Sequence, residues 1–250
     1  MSSAASSPRS ARPAPAARSE QYWVQSRQPL ASLVFIAPLL IVYEAGVLFF
    51  GPDAARNGAD AWLRWLLEWL GFGQYLLLPA LTVCLLLAWH HTTRQPWRIS
   101  RGLLYGMTGE SILLAICLRL ILMVQGSLFY VAAGPETMSI GARTAMLVGF
   151  LGAGIYEELL FRLMMLPAGS WLFQRLKISP RMALWGSVLL TSLLFAAAHH
   201  VGPYGEPFHS FSFLFRLVAG IFFSVLFIYR GFGIAAGTHA GYDILIGLFA

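Results

Sequence analysis

The chain has 250 residues, of which 58% are hydrophobic and 11% charged, with a mean hydropathy of +0.67. That composition excludes an ordinary soluble domain and identifies a membrane protein. The net charge of +6 and pI near 9.7 would suit a nucleic-acid partner, but most basic residues flank apolar segments, so membrane topology accounts for them and no nucleic acid is expected.

Residues 1–27, rich in Ser, Ala, Pro and Arg (Arg9, Arg12, Arg18, Arg27), carry little apolar surface to offset the entropy of ordering, and are predicted to form a disordered basic tail. A cleaved signal peptide is disfavoured, because the apolar run beginning near Pro29 is about 22 residues long, a full span rather than the core of a leader. Residues 28–250 are expected to form one all-α transmembrane domain. It reads as a polytopic helix bundle of about seven spans, roughly 29–50, 73–89, 102–123, 141–165, 182–201, 211–229 and 231–249. Between the first two, AWLRWLLEWL (61–70) alternates Trp and Leu with single charges and is predicted to lie in the membrane interface. Cys84 and Cys117 both fall in apolar runs and are read as isolated core thiols rather than a disulfide.

Basic residues orient the bundle. The tail, the 90–101 loop (Arg94, Arg98, Arg101), the 166–181 loop (Arg175, Lys177, Arg181) and the turn at Arg230 fall on one side, whereas the other loops hold few, Arg56, Arg64 and Arg143. The positive-inside rule then puts the N-terminus in the cytoplasm and the C-terminus outside, which requires an odd number of crossings. The short, Arg- and Ala-rich chain suggests a bacterial inner-membrane protein.

Within the apolar segments the ionisable residues are Glu44, Glu110, Arg119, Glu157, Glu158, Arg162, His199, His200, Arg216, His239 and Asp243. Each is a functional candidate, because a charge at the centre of a span costs about 2.5–3.5 kcal/mol even on the mildest scale. In IYEELLFR (155–162), Glu158 and Arg162 stand four apart and share a helix face, so they can pair. Glu157 is turned about 100° from them and is left free for chemistry. The alternative is one buried ionic cluster that only fixes packing. In FAAAH (195–199), Phe195 sits one turn before His199 with only alanines between, leaving room for a substrate backbone; the competing reading is a hydrogen-bonded core histidine. His200 points elsewhere and is assigned to the interface. In HAGYD (239–243), His239 and Asp243 project from one face beside Gly237 and Gly241, either as part of a site or as a mutual bond holding the last span.

Glu44, Glu110 and Arg119 are expected to pair across helices as structural glue. Arg216 either snorkels to the interface or receives a substrate carboxylate. With Arg143, Arg181 and Arg230 as headgroup anchors, Glu157, His239 and Asp243 fall near the midplane, whereas His199 comes out roughly 10 Å higher at about 1.5 Å of rise per residue.

A carboxylate, two imidazoles and a second carboxyl group, without a serine or cysteine in a matching motif, can activate water for amide hydrolysis. Glu157 would be the general base, an imidazole would orient the water or share its proton, and donors opposite would stabilise the oxyanion. His199, His239 and Glu157 could instead hold Zn²⁺, although the spacing lacks H-E-x-x-H and does not force a metal.

Together the three motifs resemble those of the CAAX-protease and bacteriocin-processing family of intramembrane endopeptidases, E-E-x-x-x-R, F-x-x-x-H and H-x-x-x-N or D. They read here EELLFR (157–162), FAAAH and HAGYD, in the family's order, within residues 141–250. The resemblance implies that Glu157 activates water with help from His199. It further implies that His239 and Asp243 stabilise the oxyanion or position substrate, and that Glu158 and Arg162 support the site. Asp243 stands where Asn is commoner. The implied substrate is a membrane-anchored protein cut near its C-terminus, with protein processing or sorting preferred over prenyl-protein processing proper. The rival readings are a non-enzymatic immunity or scaffold protein in the membrane, and a proton or cation transporter using the Glu and His residues as a relay.

Overall fold

The computed structural model describes residues 15–51, 56–129, 139–202 and 205–249. Among these all regular structure is helical: α1 (Pro15–Gln25), α2 (Pro29–Phe50), α3 (Gly58–Trp69), α4 (Leu77–Thr92), α5 (Arg101–Phe129), α6 (Ile140–Gly152), a π-helical segment (Ala153–Met165), α7 (Leu166–Arg175), α8 (Pro180–Ala198), α9 (Ser210–Arg230) and α10 (Phe232–Phe249). Local chemistry sets several ends. Pro29 and Pro180 occupy first-turn positions, where the missing N–H costs nothing. The Asn57 side chain caps α3 by accepting from the Ala59 amide. Gly231, at φ +82°, joins α9 to α10 in a single residue, a conformation that side chains with a Cβ rarely adopt.

Five helical stretches are long and apolar enough to cross a membrane: Pro29–Phe50, Arg101–Gly126, Ile140–Arg175, Pro180–Ala198 and Ser210–Arg230. Two of the seven expected spans fall outside that count: α4 is a shorter apolar helix of 16 residues, and α10, at 18 residues, is not among the five. The structure therefore establishes an all-helical bundle with five candidate spans, not the full seven.

Helix α10 is the axis. Its Phe232, Ile234, Ala235, Ala236 and Ala240 are buried, and it packs against α2, α5, α6, α9 and the π segment. Its small side chains permit this, since association between apolar helices depends on close backbone approach. A Cβ on Gly154 of the π segment would stand 2.7 Å from Ala236 O and from Ala240 Cβ, so that crossing requires glycine.

Several expectations are corrected. Residues 15–25 of the supposed tail are helical, and the segment is tied down: Tyr22 donates to Glu110, and Arg230 donates to Ser26 and lies over the Trp23 ring at 3.8 Å. Burial, with the Glu110 carboxylate against it, pushes the Tyr22 phenol above its ordinary pKa. Residues 1–14 lie outside the described residues. Arg230 is no headgroup anchor; it is 6% exposed and forms a bidentate pair with Glu110. Glu44 pairs not with Glu110 or Arg119 but with Arg64 of α3, and it accepts from Tyr156. For Arg119 no ion pair is found among the described residues. Cys84 is exposed and Cys117 half-buried, so neither is a core thiol, and both are free. Both lie on helices whose outer faces are apolar, which is why hydropathy alone placed them inside.

Candidate active site

The π segment carries both glutamates. π-helical geometry is rare and tends to occur at functional sites; here it sends adjacent carboxylates to different partners. Glu158 turns inward, fully buried, with Oε1 3.0 Å from Arg162 Nη1 and 2.8 Å from His239 Nδ1. Arg162, 1% exposed, also donates to Gly220 O at 3.2 Å and lies over the Phe195 ring at 4.4 Å. A guanidinium so enclosed requires a carboxylate partner, because an unpaired charge there would cost several kcal/mol.

Glu157 faces the other way. Its Oε1 accepts from Asn57 Nδ2 at 2.9 Å. Its Oε2 is buried without a hydrogen-bond partner among the described residues and points between two imidazoles, 3.9 Å from His199 Nε2 and 3.7 Å from His239 Nε2. Those separations are too long for direct bonds and suit polar groups that share a bridging partner.

The second contact of each ring assigns its protons. His199, at the C-terminal end of α8, has Nδ1 2.8 Å from Phe195 O. A carbonyl only accepts, so Nδ1 carries the hydrogen and the neutral ring offers Nε2 as an acceptor. His239 is sandwiched between the stacked ring of Phe223, 4.3 Å away, and the Glu158 carboxylate, to which Nδ1 donates. Its Nε2 faces carboxyl oxygens of Asp243 at 3.6 Å and Glu157 at 3.7 Å. The negative charge of those carboxyl groups therefore favours a proton on that nitrogen too.

Glu157, His199, His239 and Asp243 line a cavity of about 610 Å³, together with Asn57, Phe195, Phe223, Arg216 and residues of α6, and Glu158 and Arg162 lie behind them. The structure thus brings Glu157, Glu158, Arg162, His199, His239 and Asp243 into one cluster. His199, which simple rise arithmetic displaces by roughly 10 Å, reaches it from the last turn of α8. The sixth apolar segment, α9, also walls the cavity, beyond the three elements that carry the motifs. Arg216, left open between two roles, makes a bidentate ion pair with Glu206 at 2.7 and 2.8 Å and donates to Ser212. His200 lies outside the cluster, against Glu206 O and Phe208.

Sequence reasoning missed Asn57 and Phe223. Asn57 carries a visible signal, an N-cap ahead of GADAW, but nothing in the sequence couples it to a carboxylate a hundred positions away. Its supports are long-range as well. Tyr43 accepts from the Asn57 amide and donates to Asp60, Asp60 pairs with Arg56 and Arg64, and Arg64 returns to Glu44, the acceptor for Tyr156. This chain of bonds ties α2 and α3 to the residue beside Glu157.

Fold and site together define a polytopic protein, all-helical among the described residues and with helices apolar enough to cross a membrane, in which a glutamate, two histidines and an aspartate face one cavity. Residues 139–245 match the model of the Rce1-like family, described as type II CAAX prenyl endopeptidase Rce1-like. The matched segment contains all three motifs and is similar to the family that they resemble, which supports a CAAX-type protease. Comparison with curated proteins and with solved structures returned no match. Among the described residues no three His, Cys, Asp or Glu side chains are grouped as a metal site requires.

Proposed function

We propose that this protein is an intramembrane endopeptidase that hydrolyses a peptide bond near the C-terminus of a membrane-anchored protein, with Glu157 as the general base. The observation that carries the reading is the buried Glu157 Oε2, without a hydrogen-bond partner among the described residues and aimed between the two imidazole Nε2 atoms at the cavity wall. A water donating one hydrogen to Glu157 Oε2 and the other to His199 Nε2 presents its lone pair to a carbonyl in the cavity. As its oxygen bonds to the carbonyl carbon, its proton passes to Glu157. The oxyanion meets Nε2–H of His239, and Asp243 when it carries a proton. Glu157 then returns the proton to the leaving amine. Glu158 and Arg162 hold the His239 ring in place.

The substrate must be extended to be cut, and the protein-lined cavity accommodates unpaired backbone as lipid does not. The lipid bilayer is the second partner, and we place the N-terminus in the cytoplasm. The test uses the purified full chain and a synthetic prenylated peptide ending in a CAAX tail, the substrate class in the family's description. The wild type should release the C-terminal tripeptide, E157Q should release none while melting at the same temperature, and a chelator should leave the rate unchanged. Intact peptide with the wild type, together with lost stability or altered ion flux in E157Q, would return the site to a scaffold or a proton relay. Loss of cleavage on chelation, restored by Zn²⁺, would replace the side-chain scheme with a metal-bound one.

A further inference from the structure

Among the described residues outside the segment that matches the family, Asn57 donates a hydrogen bond to the proposed base. We propose that Asn57, at the start of α3, is the positioning residue for Glu157: it fixes which carboxylate oxygen faces the imidazoles and holds that carboxylate as the anion able to take a proton. This rests on the endopeptidase reading of the site.

The amide of Asn57 has only one workable orientation. Its Oδ1 accepts from the Ala59 backbone N–H at 2.8 Å, so it is Nδ2 that lies 2.9 Å from Glu157 Oε1. A hydrogen bond donated to Oε1 is strongest when that oxygen is ionised, so it favours the carboxylate and leaves Oε2, the oxygen between His199 and His239, as the one open to a proton. The Asn57 backbone is held in turn, since its N–H donates to the Tyr43 hydroxyl at 3.1 Å and Tyr43 donates to Asp60 at 2.7 Å. Nothing else among the described residues donates a hydrogen bond to Oε1. Without Asn57, the carboxylate could rotate and exchange its two oxygens, or rest protonated on the wrong one.

Because Asn57 also caps α3, the test must separate the two roles. Asp and Ser cap a helix about as well as Asn, whereas Ala does not. N57S keeps a cap and loses the donor; N57D keeps a cap and sets a second carboxylate against Glu157. N57S should melt close to the wild type and N57D below it, yet both should lose kcat on the prenylated CAAX-tail peptide by roughly tenfold or more, the worth of a hydrogen bond to a charged group, with KM unchanged in N57S. N57A should lose both stability and kcat. A second measurement needs no turnover: dicyclohexylcarbodiimide attacks protonated carboxyls in apolar surroundings, and mass mapping reads which ones. At a fixed pH, Glu157 should label roughly tenfold faster in N57S than in the wild type, with Glu158 unchanged. The proposal is overturned if kcat simply follows melting temperature across the three variants, or if Glu157 labelling does not change. If the wild type leaves the peptide uncut, the prenyl-peptide substrate falls, and the labelling alone decides whether Asn57 holds the carboxylate.

Discussion

At the level of single side chains, the site separates two carboxylates that are adjacent in the chain. Glu158 is consumed by Arg162 and His239, whereas Glu157 keeps one oxygen uncommitted. Arg162 should therefore matter for stability as well as chemistry: R162M leaves the Glu158 charge buried without its guanidinium, and should cost about 3–5 kcal/mol, read as a lowered denaturation midpoint in micelles. A variant as stable as the wild type would show that Glu158 is held by His239 alone. Asp243 tests the oxyanion role. An amide in its place donates a hydrogen bond at any pH, so D243N should cleave at least as fast as the wild type and D243A more slowly, compared as initial rates on the CAAX-tail peptide. The opposite order would mean that Asp243 acts through its charge, by keeping the second proton on His239.

Among the helices, the decisive contact is the crossing of the π segment over α10, which brings His239 against Glu158. Gly154 permits it, because a Cβ there would collide with the backbone at Ala236 and Ala240. G154V should push α10 outward and draw His239 Nδ1 from its carboxylate. A displacement of about 1 Å can cost roughly 10²-fold in rate, so cleavage should fall by that order while helical circular dichroism is retained. Unchanged turnover in G154V would show that the crossing has slack and that some other contact sets the geometry. Helix α3 contributes from the opposite side, carrying Asn57 on a network that reaches Glu44 and Tyr156. Its exposed Trp65 and Trp69 are apolar and lie away from the site.

Over the whole molecule, charge placement governs topology. Arg230 is neutralised by Glu110, so the asymmetry rests on Arg94, Arg98, Arg101, Arg175, Lys177 and Arg181. Reporter fusions at each end should still find the N-terminus in the cytoplasm and the C-terminus outside. Both ends on one side would require an even number of crossings, and would remove α4 or α10 from the set of spans.

The helical class, the apolar segments and the three motifs were all legible in the linear chain, because hydropathy and i, i+4 spacing are local properties and intramembrane charges are too costly to be incidental. The division between Glu158 and Glu157 was also visible in outline, since an acid four residues before an arginine predicts a pair. What distance along the chain concealed was each partner brought by packing: Arg64 for Glu44, Tyr22 and Arg230 for Glu110, Phe223 for His239 and Asn57 for Glu157. Hydrogen bonds across 20 to 120 positions leave no periodic trace, so composition located the charges and only the packed helices chose which oxygen of Glu157 remained open.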